Sequence, residues 1–319
     1  MKKKRPSVCF FVIAYGQEEI VDACLKNLTT LFSPQDIWLI DNASPTSLAK
    51  IAKKYGVHCD RQVENKGYSG GCNSAVSIFQ KKTTADVCCL LNSDVFFDGQ
   101  FVAQLPYELL RLQHDLKLAL IQPVLYMDTQ KGRVENNGIR YFQSGLAFQS
   151  MRDSGKVVVN GACMLLKRVA VEDIISQDGF CFEEIFWSYA EDVELSLRLL
   201  SRGWKIDVSP LLSAQHLGSV SFGRGSSRSR YLYARNLFWT ILIAWDRKML
   251  EKYVLHVFVG QLRIFVEFAV SGEIGGYIKL LRESQEKKNV LLKKRENFQG
   301  KKTHSFEAYL QPGSFPVRR

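Results

Sequence analysis

No CxxC pair occurs among the eight cysteines, which stand at positions 9, 24, 59, 72, 88, 89, 163 and 181, mostly inside apolar runs. That usage argues against a disulfide framework and for buried thiols in a reducing cytoplasm. Long hydrophobic runs are missing too. Residues 236–244 are apolar but halt at Asp246-Arg247-Lys248, too short to span a bilayer. Residues 253–270 are interrupted by His256, Gln261, Arg263 and Glu267 and read as an amphipathic, interfacial helix. The N-terminus imitates a signal peptide, with Lys2-Lys3-Lys4-Arg5 ahead of a short apolar run. Gln17-Glu18-Glu19 opens a helical pattern at once, however, and cleavage would remove the first strand. There is no internal repeat, no GxGxxG or GK[ST] phosphate loop, and no nucleic-acid reader motif.

Charge of one sign is absent from the body of the chain. The net charge is +11, of which the first five residues carry +4 and the stretch from Asp246 onward +7, so residues 6–245 balance. A basic skirt on a neutral body suits an anionic membrane surface better than a nucleic-acid groove. With 46% hydrophobic and 24% charged residues in 319, the chain has the makings of a sizeable core. The expected organisation is a domain over 1–240 followed by a basic, amphipathic helical extension over 241–319. That extension is expected to meet a membrane or a second copy of the chain.

Apolar strand-length runs at 8–14, 37–40, 57–63 and 87–91 alternate with helical patterns at 18–31, 48–55 and 72–80. Such alternation predicts an α/β fold with a mostly parallel, Rossmann-like sheet and helices on both faces. Further on, a helix is expected from Gly99 to about His114 and a strand over 118–126. An irregular excursion at 128–154 follows, then a strand over 157–166 broken at Asn160-Gly161-Ala162. A helix over 191–202 ends at Gly203, a strand covers 204–208, and a Gly/Ser/Arg loop runs over 216–230.

The run Val87-Cys88-Cys89-Leu90-Leu91 stops abruptly at Asn92-Ser93-Asp94. A buried strand that ends in short polar side chains delivers them to the sheet edge where open α/β folds bind ligands. Asp94 is placed there to hold a hard cation, Mg²⁺ or Mn²⁺; alone, the triplet also suits a turn. Asp41, at the end of the second strand, faces the same edge, either toward a nucleoside or as a cap for the helix near Leu48. Glu64-Asn65-Lys66-Gly67-Tyr68-Ser69-Gly70-Gly71 reads as a tight turn or a phosphate cradle at a helix start. Glu191-Asp192 follows an aromatic stretch containing Trp187 and Tyr189. The acids suit a helix first turn and also a general base beside a sugar platform. His216 is a candidate nitrogen ligand opposite Asp94. Arg224, Arg228, Arg230 and Arg235 are candidates to grip a diphosphate.

The ordered set AYGQEE, DNAS, ENKGYSGGCN, LLNSDVFFDG, NGACMLLKR, GFCFEEIFWSYAEDVELSLRLLSRGW, H-x-G and ARN spans about residues 7 to 240. It resembles the family 2 inverting glycosyltransferases, especially the bacterial rhamnosyltransferase-like branch that builds cell-surface polysaccharide. The resemblance implies a GT-A fold, a nucleotide-diphosphate sugar donor, a divalent metal, and a glycan or lipid-linked acceptor. It puts Ala14, Tyr15, Asp41, Asn65, Lys66 and Gly67 on the nucleotide, and Asn92 and Ser93 on the donor. Asp94 becomes the metal aspartate of a DxD-like motif, His216 its further ligand, Asp192 the catalytic base and Glu191 the base's neighbour. The aromatic stretch itself makes Trp187 and Tyr189 the candidate acceptor contacts. Departures are visible: Ala14-Tyr15-Gly16 stands where Thr-Tyr-Asn is common, and Asn92 replaces the first aspartate of a full DxD. Read this way, the protein works in the cytoplasm, peripherally at the inner face of the cell membrane. The competing expectation is a non-catalytic nucleotide-sugar or glycan-binding module.

Overall fold

A computed structural model describes residues 6–127, 131–153, 155–218 and 226–316. The first half alternates strand and helix as expected: β1 (Val8–Ala14), α1 (Glu18–Leu31), β2 (Ile37–Asp41), α2 (Ala49–Tyr55), β3 (His58–Arg61), α3 (Gly67–Lys82) and β4 (Val87–Asn92). Then come β5 (Val95–Phe96), α4 (Gly99–His114), β6 (Leu118–Tyr126), β7 (Val134–Asn136), β8 (Ile139–Phe142), β9 (Ala147–Gln149), β10 (Cys163–Lys167) and α5 (Arg168–Asp178). The chain closes with α6 (Glu191–Ser201), β11 (Lys205–His216), α7 (Ser227–Ala244), α8 (Arg247–Val270), α9 (Ile274–Glu286), α10 (Lys288–Gly300) and β12 (Leu310–Gln311).

The nine-stranded sheet runs β3-β2-β1-β4-β10-β6-β11-β5, with β7 on β6. Its β3-β2-β1-β4 half is parallel throughout. Beyond it β10 runs antiparallel to both neighbours, and β11 returns parallel to β6. Strand β1 explains the continuous apolar runs: Phe11 and Ile13 enter one core layer, Phe10 and Val12 the other. A strand covered on both faces has no polar side to show.

Three segments differ from the sequence expectation. Helix α3 begins at Gly67 rather than after the glycines. Gly67 sits at φ 72°, and a Cβ there would fall on the Trp187 carbonyl, so this glycine permits a close approach at a helix start. Strand β11 does not stop at Val208 but runs on to His216 through a register shift between Ser209 and Ser213. The polar Ser209-Pro210 step interrupts the apolar pattern without ending the strand. Lastly, Arg228 and Arg230 lie on α7 rather than in a loop. The excursion after β6 contains β7 and the β8–β9 hairpin, which β12 joins by pairing with β8.

Candidate active site

The C-terminal ends of β1 and β4, the start of α3 and the turn before α6 open onto one cavity of about 730 Å³. Its wall brings together Ala14, Tyr15, Asn65, Gly67, Asn92, Ser93, Asp94, Trp187, Tyr189, Glu191, Asp192 and His216, all singled out from sequence.

Asp94 and His216 meet because of strand register. Val95 of β5 is paired with His216 of β11, and the Leu217 amide donates to the Asp94 carbonyl at 3.1 Å. His216 Nδ1 lies 2.6 Å from Glu135 Oε2, and its Nε2 lies 3.4 Å from Asp94 Oδ1 without making a hydrogen bond. Burial pulls the imidazole pKa down, but the two carboxylates outweigh it and raise it to about 9. Without a metal the ring is a cation between two carboxylates, and a metal at Nε2 would displace the proton there. Glu135 fixes the ring through Nδ1. This is how metal-binding histidines are oriented. The donor set, one carboxylate and one imidazole nitrogen, fits Mn²⁺ or Mg²⁺ with remaining positions open to a diphosphate. Among the described residues no cluster of three or more His, Cys, Asp or Glu side chains is placed to hold a metal alone.

Glu191 and Asp192 open α6, and both are buried. Asp192 accepts the Gly161 amide at Oδ2 and the Val193 amide at Oδ1, each at 2.7 Å. The Gly161 peptide is held from its other end by the Tyr68 hydroxyl, which donates to the Gly161 carbonyl at 2.7 Å. Burial raises Asp192 to about 6 despite the two amides. Burial, and then the charge of Asp192, raise Glu191 to about 8, and its Oε2 has no hydrogen-bond partner. Two carboxyls this close and this dry hold a proton between them near neutrality.

The turn that aims them is strained. Trp187, Tyr189 and Ala190 all sit at positive φ, 63°, 72° and 61° respectively, which costs non-glycine residues energy. Asn236 of α7, fully buried, offers its side-chain amide to the carbonyls of Phe186, Ser188 and Tyr189 at 2.9, 2.8 and 2.6 Å. Arg235 adds a bond to the Phe186 carbonyl at 3.1 Å, and the Trp187 carbonyl accepts the Ser69 amide at 3.2 Å.

Not all of the expected residues line the cavity. Asp41 is fully buried and does not line the cavity; its oxygens accept the Ser44 and Leu48 amides and the Arg61 guanidinium, so it caps α2. Asn42, one residue on, lines the cavity instead. Lys66 points out and pairs with Glu64 at 3.7 Å. Arg235 is buried against Glu283 at 3.0 Å and is unavailable to a phosphate. Arg228 does not line the cavity; its guanidinium stacks 4.6 Å above the Trp187 ring. Arg230 does line it and pairs with Glu273 at 2.7 Å. Arg224 lies outside the described residues. Glu135, Asn42, Tyr233 and Asn236 were not singled out from sequence. Two of these positions carried a signal, Asn42 as the second letter of DNAS and Asn236 as the last letter of ARN.

Residues 9–175 match the family model described as glycosyl transferase family 2. Among solved structures, the chain is similar to the mannosyltransferase PcManGT from Pyrobaculum calidifontis, solved with GDP-Man and Mn²⁺. The TM-score is 0.54 at 12% identity over 94% of this chain and 86% of that one. It is also similar to GalNAc-T7 solved with UDP, GalNAc and Mn²⁺, with a TM-score of 0.56 at 14% identity over 82% of this chain and 52% of that one. At these identities the likeness is one of fold. No curated relative matches the sequence.

Proposed function

The chain belongs to glycosyl transferase family 2, and from that premise we propose that it is an inverting transferase. It moves a sugar from a nucleotide-diphosphate donor, dTDP-rhamnose or a UDP-sugar, to a hydroxyl of a glycan or lipid-linked acceptor in cell-surface polysaccharide synthesis. The sugar and pathway rest on the motif order that resembles the rhamnosyltransferase-like branch. The reaction type rests on one observation: a dry carboxyl pair and an aspartate–histidine pair share a single cavity.

The acceptor oxygen attacks the anomeric carbon from the face opposite the diphosphate. The new C–O bond forms as the bond to the leaving oxygen breaks, and the nucleotide diphosphate departs with that electron pair. Asp192 takes the hydroxyl proton; its amide bonds to Gly161 and Val193 hold it in place as it does so. One displacement without a covalent intermediate inverts the anomeric centre. Asp94 and His216 would hold Mn²⁺ or Mg²⁺, and a bound divalent ion offsets charge developing on the diphosphate. Asn42, Asn65 and Tyr15 line the part of the wall assigned to the nucleotide, and Trp187 and Tyr189 line the part assigned to the acceptor. A plain sugar-binding module gains nothing from burying two adjacent carboxyls, which costs stability.

Calorimetric titration with UDP-, dTDP- and GDP-sugars, each with and without Mn²⁺, tests the donor reading. One nucleotide should bind in a Mn²⁺-dependent manner, and binding should weaken in Asp94→Ala. Transfer in Asp192→Asn should fall by about 10²–10⁴. If both variants transfer at close to the parental rate, the assignment is wrong.

A further inference from the structure

Helix α8 is two-faced in an unusual sense. Tyr253, Gly260, Ile264 and Phe268 are buried against the body. A Cβ at Gly260 would stand 2.8 Å from the Ser144 side chain, so the helix is seated closely along that face. On the opposite face eight large apolar side chains are exposed, among them Leu255 at 75%, Phe258 at 66% and Leu262 at 49%. They recur every three or four residues over the length of the helix, and α9 adds exposed Ile274, Ile278 and Leu281. The rings of Phe265 and Tyr277, 5.4 Å apart, join the two helices along this side. A contiguous apolar face of this extent marks a docking surface.

Its surroundings select the occupant. From Asp246 onward the chain holds 15 Lys and Arg against 8 Asp and Glu. Lys248, Lys287, Lys288 and Lys293 are exposed and pair with no carboxylate among the described residues. A second copy of the chain would bring the same cations into opposition. A membrane-spanning role is also disfavoured: α8 is long and apolar enough by composition, but one face is packed on the body, and the charged Arg263–Glu267 pair within the helix, 2.9 Å apart, would be costly in hydrocarbon. We infer that the α8–α9 face is an interfacial docking surface for an anionic lipid bilayer, with apolar side chains entering the headgroup boundary and lysines meeting acidic lipids. The inference stands apart from the catalytic reading, because it uses no residue of the cavity wall. The surface and cavity are neighbours nevertheless: Arg263 of α8 lies 5.1 Å over the ring of Phe148, which lines the cavity. An acceptor anchored in the same bilayer would meet the cavity from the helix side.

Vesicle flotation of the full chain tests this. The protein should float with vesicles of equal parts phosphatidylcholine and phosphatidylglycerol, and at least about tenfold less with phosphatidylcholine alone. The triple variant Leu255→Glu/Phe258→Glu/Leu262→Glu should lose flotation by about tenfold or more while its melting curve stays parental. Lys287→Ser/Lys288→Ser should weaken binding by several-fold and flatten its salt dependence. Failure of the parental chain to float with anionic vesicles overturns the inference. So does equal flotation of the triple variant. A salt-stable dimer that the triple variant converts to monomer, with neither form floating, assigns the face to a second copy instead.

Discussion

Asp192 and Glu191 differ in what holds them, and that difference predicts different pH behaviour. Asp192 accepts two amides and is raised to about 6; Glu191 has an unpartnered oxygen and is raised to about 8. Between those values the pair carries one proton, leaving the aspartate as the base. The rate of transfer should therefore fall about tenfold per unit as pH drops below about 6, from loss of the ionised base. Glu191→Gln should keep that acid limb, since Glu191 is already neutral where Asp192 titrates. If the limb vanishes in Glu191→Gln and survives in Asp192→Asn, the two roles are exchanged. Stability runs the other way. Both folded pKa values lie above those of the unfolded chain, so the folded state binds more protons over roughly pH 4 to 8 and stability falls as pH rises through that window. Glu191→Gln should accordingly melt higher than the parent at pH 8, with a gain on the order of 1–3 kcal/mol, and the gain should shrink toward pH 4. Glu135 acts at the same scale on the other half of the site. Without its carboxylate the His216 ring loses its Nδ1 anchor, so Glu135→Gln should weaken Mn²⁺ binding by about 10- to 100-fold in a calorimetric titration.

The turn over residues 186–190 cannot hold its own shape. Three non-glycine residues at positive φ require outside support, and Asn236 supplies most of it from a neighbouring helix. Asn236→Ala should lower kcat by about tenfold or more and the melting temperature by several degrees, with Mn²⁺ affinity unchanged. A fall in metal affinity equal to the fall in kcat would show that the substitution disturbs the whole site rather than the turn. Sequence patterns reached the elements but not this support. The apolar runs of β1, β2, β4 and β6 and the amphipathic spacing of α1, α4 and α6 carry their own periodicity, so they were legible. Asp94 was legible as a candidate because it follows directly on an apolar strand, and His216 because it opens a polar Gly/Ser/Arg stretch. Their approach depends on the β5–β11 register, which no local pattern encodes. Glu135 lay in a stretch without period, and Asp41 looked functional because a cap and a ligand contact use the same residue types at the same strand end. The second half of β11 was hidden by Ser209-Pro210, where tertiary pairing overrides a polar break.

At the scale of the molecule, the last helices form part of the core. Trp245, Met249, Phe298 and Phe306 share one buried cluster with Phe11 and Ile13 of β1 and with Leu195 and Leu197 of α6. Polar contacts follow the same seam. Lys294 pairs with the buried Glu183 at 2.7 Å, Lys301 with the buried Asp178 at 3.1 Å, and Arg202 donates to the Phe298 carbonyl at 3.3 Å. Gln299 donates to the carbonyls of Ile243 and Ala244, and β12 completes the small sheet on β8. Cutting the chain after Ala244 would bare that cluster and leave Glu183 buried without its cation, and either loss alone is severe for a marginally stable fold. The truncated chain should be insoluble, or lose its cooperative melting transition, even though every residue named in the chemistry precedes the cut. The exposed α8 face, by contrast, contributes little to this seam, so glutamates at Leu255, Phe258 and Leu262 should leave the melting curve within a few degrees of the parent. A soluble 1–244 fragment with a sharp transition near that of the full chain would mean that the C-terminal helices rest on a core already complete without them.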